Sequence, residues 1–439
     1  MTSTLMTQDD AAAAILAYAF SGAIGPVDGK GVNYALLNTI STAFTWSISL
    51  EDFDADPMPI DRYLVKIDRR TKEISPPKPI TLSEAELKEV ILAATKRHTS
   101  SSSRFTDGSL STSYRVNVQN HPEEYVVQLR HHGKVASMDF LMALISRTID
   151  PGILPVPTVY PIPGEMERQE MTGMGKQVTQ LIPGEMADSV YYSQLSHEQR
   201  LAFVKRAALA FQACWEQIRL PHPPLIGELL GDESNGLVIG PDRHYSLGGP
   251  FTTVRAYLRA WIRYSLSTLI KQQGIDEFKN RYLARIENFI DRYEYDIPAV
   301  VEDIPIVAIH EDMGLHNIIL GSSTEIRAII DWEFIASAPY AAQDQIIETL
   351  FRKPAPNQFG PELDRANELR AAFWDTIPEW KRRNESEATK TFLDWFKFGL
   401  FMKPEPLLDD LTEEEKQAYW QENIRIVEEM LDRYGATRS

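Results

Sequence analysis

The segment from Ile306 to Glu333 constrains this chain more than any other. Ile306 to Ile309 reads as an apolar strand, Asn317 to Leu320 as a second, and Ile326 to Ile330 as a third that ends at Asp331. Gly321-Ser322-Ser323 turns the chain between the second and third. The loop between the first two begins His310-Glu311-Asp312-Met313-Gly314, so that His310, Asp312 and Asn317 spell H-x-D-x-x-x-x-N, with Asp331 nineteen residues after Asp312. A loop followed by a β-hairpin returns residues 312, 317 and 331 to one place, and apolar strands on either side hold them rigid.

These residue types belong together in phosphoryl transfer, where catalysis is mostly positioning and neutralisation of charge. On that reading Asp312 orients an acceptor hydroxyl and takes its proton. Asn317 and Asp331 supply oxygen ligands to Mg²⁺, a hard cation that keeps several waters. The same loop admits a second reading, because His310, Asp312 and His316 have the spacing of metallohydrolase ligands. No H-x-x-x-H or H-x-H accompanies them.

The chain around this segment changes character along its length. Residues 1–80 read as an N-terminal extension, acidic and proline-bearing from Asp52 to Met58, with Pro76, Pro77 and Pro79 marking a linker. Thr81-Leu82-Ser83-Glu84-Ala85-Glu86 offers a cap and an acidic first turn to a helix that runs to about Arg97, and the serine run Ser100 to Ser103 ends it. Tyr114 to Val118 alternates polar and apolar, and with Tyr125 to Arg130 it makes a hairpin across the turn His121-Pro122-Glu123-Glu124. Ser137 to Arg147 is helical in pattern, and Val178 to Ile182 is a further strand before the Pro183-Gly184 turn. From Ser196, which caps a helix with Gln199 three residues on, the chain is mostly helical: Phe251 to Lys271, Glu277 to Tyr293 and a charged amphipathic helix from Glu413 to Tyr434. Strands first and helices second argue for an α+β protein of two lobes.

The catalytic segment resembles the catalytic loop and metal-binding strand of the aminoglycoside phosphotransferase and choline kinase-like family, in the manner of its fungal-type members. The family's metal-binding element is commonly an Asp, an aromatic or apolar residue and Glu, matching Asp331-Trp332-Glu333. Asp107 to Val116 resembles its phosphate-covering loop, Ile153 to Pro157 its Pro-x-Pro, and Gln180-Leu181-Ile182-Pro183-Gly184-Glu185 its hinge. The resemblance covers roughly residues 100 to 350. It implies a protein-kinase-like fold, with an N-lobe over residues 81–182 and a helical C-lobe over 183–439 that carries the catalytic loop and acceptor pocket.

By position it implies Asp312 as catalytic aspartate, Asn317 and Asp331 as Mg²⁺ ligands, and His310 and Glu333 as supporting residues. ATP would be held by the backbones of Gln180 and Ile182 at its adenine and by Gly108, Ser109 and Ser111 at its phosphates. One position departs from the family. The strand residue that usually carries a phosphate-binding Lys or Arg is Gln128, and Arg130, two residues on and on the same strand face, would serve instead, with Asp139 as its partner acid.

Composition narrows what remains. A net charge of −17 repels nucleic-acid phosphates. The apolar stretch Ala11 to Ile24 is short for a membrane span and follows Asp9 and Asp10 rather than a basic region. The single cysteine, Cys214, permits no internal disulfide and reads as a small buried apolar side chain. These features predict a cytoplasmic protein that engages neither nucleic acid nor membrane, and the family resemblance implies an enzyme that acts on a small molecule. Glu311, Glu333, Asp344 and Glu348 are candidates for an acidic acceptor pocket suited to a cation. A small-molecule kinase, a nucleotide-binding pseudokinase and a transferase that moves AMP all remain open at this point.

Overall fold

The computed structural model describes the backbone of four strands within residues 34–79. From residue 81 it describes the chain except for residues 106–111, 131–133, 233–235, 243–244, 273, 323, 354–359, 405–412 and 436–439, and gives backbone alone for 413–419 and 434–435. The chain divides into two compact units, residues 1–140 with 157–181 and residues 141–156 with 182–439.

The first unit begins with strands β1 (Tyr34–Ser41), β2 (Thr45–Asp52), β3 (Arg62–Asp68) and β4 (Lys78–Pro79), an antiparallel sheet in the order β1-β2-β3-β4 within what the sequence offers only as an extension. Helix α1 (Glu84–Thr95) starts where Ser83 makes a capping box: its hydroxyl accepts the Glu86 N–H, and the Glu86 carboxylate accepts the Ser83 N–H at 2.8 Å. The helix ends at Thr95, with Lys96 left-handed at φ 61°.

The serine run after it is not a terminator but strand β5 (Thr99–Arg104). It pairs with β6 (Thr112–Val118), Ser102 opposite Val116, at the edge of a sheet ordered β5-β6-β7-β8. An edge strand with one solvated face tolerates such a polar run. The expected hairpin is β6 with β7 (Glu124–Arg130), Tyr114 facing Val127, and β8 (Gly175–Gln180) lies beside β7. Tyr114, Val116, Tyr125 and Val127 are buried against Leu87 and Ile91 of α1. Helices α2 (Val135–Thr148) and α3 (Glu165–Thr172) complete the elements before β8.

The second unit opens with β9 (Glu185–Met186), α4 (Ala187–Tyr191) and α5 (His197–Gln217), the last begun by the Ser196–Gln199 capping box. A hairpin of β10 (Gly227–Asp232) and β11 (Gly236–Gly240) follows, in a stretch to which the sequence reading gave no element. Its four glycines conceal the strand pattern. They also permit close pairing, since a Cβ on Gly227 would lie 2.2 Å from Gly240 O.

Then come α6 (Val254–Lys271), α7 (Asp276–Tyr293), β12 (Ile306–His310), β13 (Ile318–Leu320), β14 (Ile326–Ile329) and β15 (Ile335–Pro339). One sheet runs β11-β10-β15-β12 and another β14-β13-β9. Helices α8 (Asp344–Glu348), α9 (Ala366–Thr376), α10 (Pro378–Asn384), α11 (Glu387–Phe401) and α12 (Glu413–Gly435) finish the chain. Among the described residues no helix is long and apolar enough to cross a membrane.

Aromatic packing anchors this unit. Trp215 of α5 lies 4.6 Å from Trp380 and 5.4 Å from Tyr340, ring centre to ring centre. Trp261 of α6 stacks on Phe396 at 5.0 Å and donates Nε1–H to Phe396 O at 2.9 Å. Cys214 is buried, and burial pushes its thiol up.

The seat of Trp261 depends on Gly399 of α11, where a Cβ would fall 2.4 Å from the indole Nε1. Alanine in a helix interior normally gains about 1 kcal/mol over glycine. Overpacking a rigid indole costs about 1–3 kcal/mol. Gly399→Ala is therefore expected to destabilise the protein by up to about 2 kcal/mol net, read from the urea midpoint. A midpoint raised by the substitution would mean that Trp261 is not held against this helix.

Candidate active site

β12 delivers His310 fully buried at the head of the loop. Its Nε2 lies 3.0 Å from Ile330 O, and since a carbonyl only accepts, Nε2 carries the proton. Nδ1 is then the acceptor for the Asp312 N–H at 3.2 Å. One ring thus ties the backbone of Asp312 to the residue preceding Asp331. Burial lowers the His310 pKa, against the Ile330 hydrogen bond and the nearby Asp312 and Asp331, so the ring is neutral as this tautomer requires. With both nitrogens engaged, His310 has no lone pair for a metal, which removes the metallohydrolase set. Among the described residues no group of three or more His, Cys, Asp or Glu side chains converges as a metal site.

Asp312 is held at both oxygens. Oδ2 accepts from Asn317 Nδ2 at 2.9 Å, and Oδ1 accepts from His316 Nε2 at 2.9 Å. Asn317 is buried at the end of a 3₁₀ turn, Leu315–Asn317, and Nδ2 also donates to Asp312 O at 2.8 Å. Both Nδ2 hydrogens are thereby used, and Oδ1 is the Asn317 atom that could ligate a cation. Burial works to raise the Asp312 carboxyl. The His316 hydrogen bond and charge, with His310 and Asn317, outweigh it and hold Asp312 below the ordinary carboxylate range. His316 is raised in turn, chiefly by that hydrogen bond.

The hairpin register brings Asp331 to this loop. Ile318 faces Ile329, and the Ile330 N–H donates to Asn317 O at 3.0 Å. Asp331 follows directly, left-handed at φ 58°, a conformation an aspartate tolerates better than most residues. Trp332 is buried, bonded through Nε1 to Ile329 O and edge-on to His310 at 4.8 Å. Glu333 is half-buried in the same turn.

The expected acidic pocket is only partly present. Burial, with Asp242, Glu228 and Asp312, pushes Glu311 up to about 8. Asp344 and Glu348 are instead consumed in ion pairs, Asp344 with Lys397 at 2.7 Å and Glu348 with Arg370 at 2.9 Å and Arg352 at 3.1 Å. Asp242 and Glu228 escaped the sequence reading because they sit in and after the glycine-masked hairpin.

In the first unit Gln128 and Arg130 lie on one face of β7. Arg130 is buried; its Nε donates to Gln177 Oε1 at 2.6 Å and its Nη2 to Gln128 Oε1 at 2.9 Å. Gln177 Nε2 donates onward to Asp139 Oδ1 at 2.8 Å. Gln177 therefore stands between Arg130 and Asp139. It lay one residue before the expected start of its strand, and its position opposite Gln128 was the available signal. Burial pushes Asp139 up to about 6 despite Gln177 and Arg130. Where the resemblance places the hinge, the Gln180 N–H is donated to Thr158 O at 2.8 Å, and half-buried Ile182 follows the strand. Gly108, Ser109 and Ser111 lie outside the described residues.

A β-sheet unit followed by a largely helical one, with this loop and hairpin in the second, is the architecture of a kinase-like phosphotransferase. The sequence model of the phosphotransferase enzyme family matches residues 102–380, and the chain belongs to that family. No curated protein matches it significantly in sequence. Among solved structures it is similar to a thermostable mutant of aminoglycoside phosphotransferase APH(4)-Ia in apo form, at 14% identity over 80% of this chain and 99% of that one, TM-score 0.46. It is similar also to APH(2")-IIa in a ternary complex with streptomycin and ATP, at 13% identity over 80% and 99%, TM-score 0.45. Spectinomycin phosphotransferase APH(9)-Ia in complex with ADP and spectinomycin gives 14% identity over 80% and 98%, TM-score 0.44.

Asp139 yields a test by pH. Its folded value, about 6, lies above the ordinary 3.8, so the folded state binds this proton more tightly than the unfolded chain does. Stability falls as pH rises through that window, and the loss, roughly 3 kcal/mol at most, is complete above it. Asp139→Asn keeps an acceptor for Gln177 and removes the buried charge. Its Tm should exceed that of the wild type at about pH 8, and the gap should close as pH falls toward the ordinary value of 3.8. A difference independent of pH would show that Asp139 is not buried as a charge.

Proposed function

We propose that the protein transfers the γ-phosphate of ATP to a hydroxyl of a small-molecule acceptor, with Asp312 as general base. The observation that carries this reading is Asn317, which uses both Nδ2 hydrogens on Asp312, so that Oδ1 is its remaining side-chain polar atom, and is joined through its backbone to the residue before Asp331. Asn317 Oδ1 and the Asp331 carboxylate fit Mg²⁺, since both are hard oxygen donors and two protein ligands leave positions for phosphate oxygens and water. Bound there, Mg²⁺ would neutralise phosphate charge. Asp312, kept ionised by His316 and Asn317, orients the acceptor hydroxyl and accepts its proton as the new O–P bond forms and the bond to ADP breaks.

On this reading residues 81–182 hold the nucleotide and residues 183–439 the acceptor, with 1–80 an extension to both. Arg130, kept in place by Gln177 and Asp139, contacts the phosphates in place of the usual strand cation. Gln180 and Ile182 meet adenine through their backbones, Gln180 through its carbonyl because its N–H is committed to Thr158. Gly108, Ser109 and Ser111 cover the phosphates. The carboxylates of Asp242 and Glu228 favour an acceptor that carries an amine, and a cation bound beside them would draw the Glu311 carboxyl toward its ionised form. Incubation with ATP and a panel of amino alcohols, aminoglycosides and neutral polyols, read by product mass, tests this: added phosphate on an amine-bearing acceptor is expected. Added AMP, or preference for the polyols, would overturn it.

Asp312→Ala should still bind Mg·ATP by calorimetry while losing about 10²–10⁴-fold in turnover. Asp331→Asn should abolish turnover with the fold intact. Full activity in either variant refutes the assignment of that residue.

Arg130→Ala should raise the KM for ATP more than Gln128→Ala does, because only the guanidinium neutralises phosphate. The opposite ranking would return the phosphate contact to Gln128.

A further inference from the structure

His316 enters the proposed function only by keeping Asp312 ionised. Its side chain is half-exposed, yet its Nε2 is fixed 2.9 Å from Asp312 Oδ1. Asn317 alone would pin only Oδ2. The terminal torsion of an aspartate is broad, so a carboxylate held at one oxygen still rocks. A second observation shows that the ring's place is built rather than incidental. Gly314 has φ −82° and ψ 172°, extended backbone open to any residue. A Cβ there would lie 2.6 Å from His316 Cε1 and 2.8 Å from Nδ1. Gly314 is therefore not required by its own conformation; it vacates the space in which the imidazole sits.

We propose that His316, seated on Gly314, is a positioning residue for Asp312, holding Oδ1 as Asn317 holds Oδ2 so that the carboxylate meets the acceptor hydroxyl in one orientation. The role needs only an Nε2–H donor, which neutral and protonated imidazole both provide. It rests on the reading of Asp312 as the base, and the nineteen-residue H-x-D to Asp331 spacing does not by itself predict it.

The experiment measures phosphate release from Mg·ATP by the full-length protein, with water as the acceptor, in the wild type and in Asp312→Ala, His316→Ala, His316→Gln and Gly314→Ala, with thermal melts to verify folding. His316→Ala and Gly314→Ala should each lower kcat about 10- to 100-fold while the KM for ATP stays within about twofold. Their combination should be no worse than either alone, because both remove one contact. His316→Gln, whose amide can donate to Oδ1, should recover part of the loss. Gly314→Ala reaches the same contact without altering the imidazole, so a folding defect confined to His316→Ala leaves the test intact. If Asp312→Ala lowers kcat and both other alanine variants match the wild type, His316 has no positioning role and the reading of Asp312 stands. If only Gly314→Ala is impaired, the loop needs the glycine and not the ring. If the wild type releases no phosphate, or Asp312→Ala releases it at the wild-type rate, the reading of Asp312 falls and this inference falls with it.

Discussion

The buried, neutral ring of His310 is the interaction on which the rest of the site depends. It accepts the Asp312 N–H and donates to Ile330 O, so a single planar group sets both the start of the loop that carries Asp312 and the end of the strand that leads to Asp331. Both bonds together need the neutral Nε2–H tautomer: burial opposes the charged form, and Ile330 O, which can only accept, selects the tautomer. The ring is itself backed by the helical layer. Gln343 Nε2 donates to His310 O at 2.7 Å, and Trp215 Nε1 donates to Gln343 Oε1 at 2.7 Å. Precision at Asp312 is thus inherited from α5 through two side chains and one backbone carbonyl, all buried and all satisfied, the condition under which a polar network stiffens a core rather than weakening it.

Two carboxylates one residue apart, Glu311 and Asp312, are driven in opposite directions. Glu311 is pushed up to about 8 by burial and by Asp242, Glu228 and Asp312. Asp312 is less deeply buried and has donors on both oxygens, and these outweigh the burial. The separation follows from chain direction. Glu311 continues β12, giving its N–H to Phe334 O at 2.7 Å, whereas Asp312 begins the turn toward His316 and Asn317. Environment rather than residue type divides them, as it does wherever neighbouring acids take different chemical parts. In the other unit Asp139 is a third case: one donor from Gln177 and the charge of Arg130 do not overcome burial.

What could be read from sequence follows from how local each signal is. The capping boxes at Ser83 and Ser196, the β6–β7 hairpin and the loop with its hairpin are written in short patterns, and they form where expected. The H-x-D-x-x-x-x-N residues come together because strand register, a period-two property, fixes Asn317 beside Ile330. The serine run hid β5 because an edge strand needs no apolar alternation. The β10–β11 glycines hid a hairpin whose strands are specified by β15 across the sheet, with Glu228 facing Ala336. Gln177 was invisible for a different reason. A glutamine in a strand acquires a role only when Arg130 and Asp139 arrive from β7 and α2, and nothing in its neighbours marks that meeting. Asp344 and Glu348 show the converse, since nearness in sequence to the loop did not stop Lys397, Arg352 and Arg370 from neutralising them.

Glycines carry the same lesson at finer grain. Lys96 and Asp331 show that this chain places ordinary residues at positive φ where it must, so a glycine here is not by default a conformational device. Gly184, Gly314 and Gly399 lie outside that region, and each stands where another group occupies the space of a Cβ: Leu320 O at 2.4 Å, the His316 ring at 2.6 Å, and the Trp261 indole at 2.4 Å. The first sets the Pro183-Gly184 turn against β13, the second the imidazole against Asp312, and the third α6 against α11. Each is a close approach between parts that the sequence keeps distant or does not mark as touching. A glycine's reason in such cases belongs to its neighbour, and only the folded chain names that neighbour. For Gly314 the neighbour is the ring that touches the carboxylate, so the smallest side chain in the loop is tied, through His316, to the orientation of Asp312.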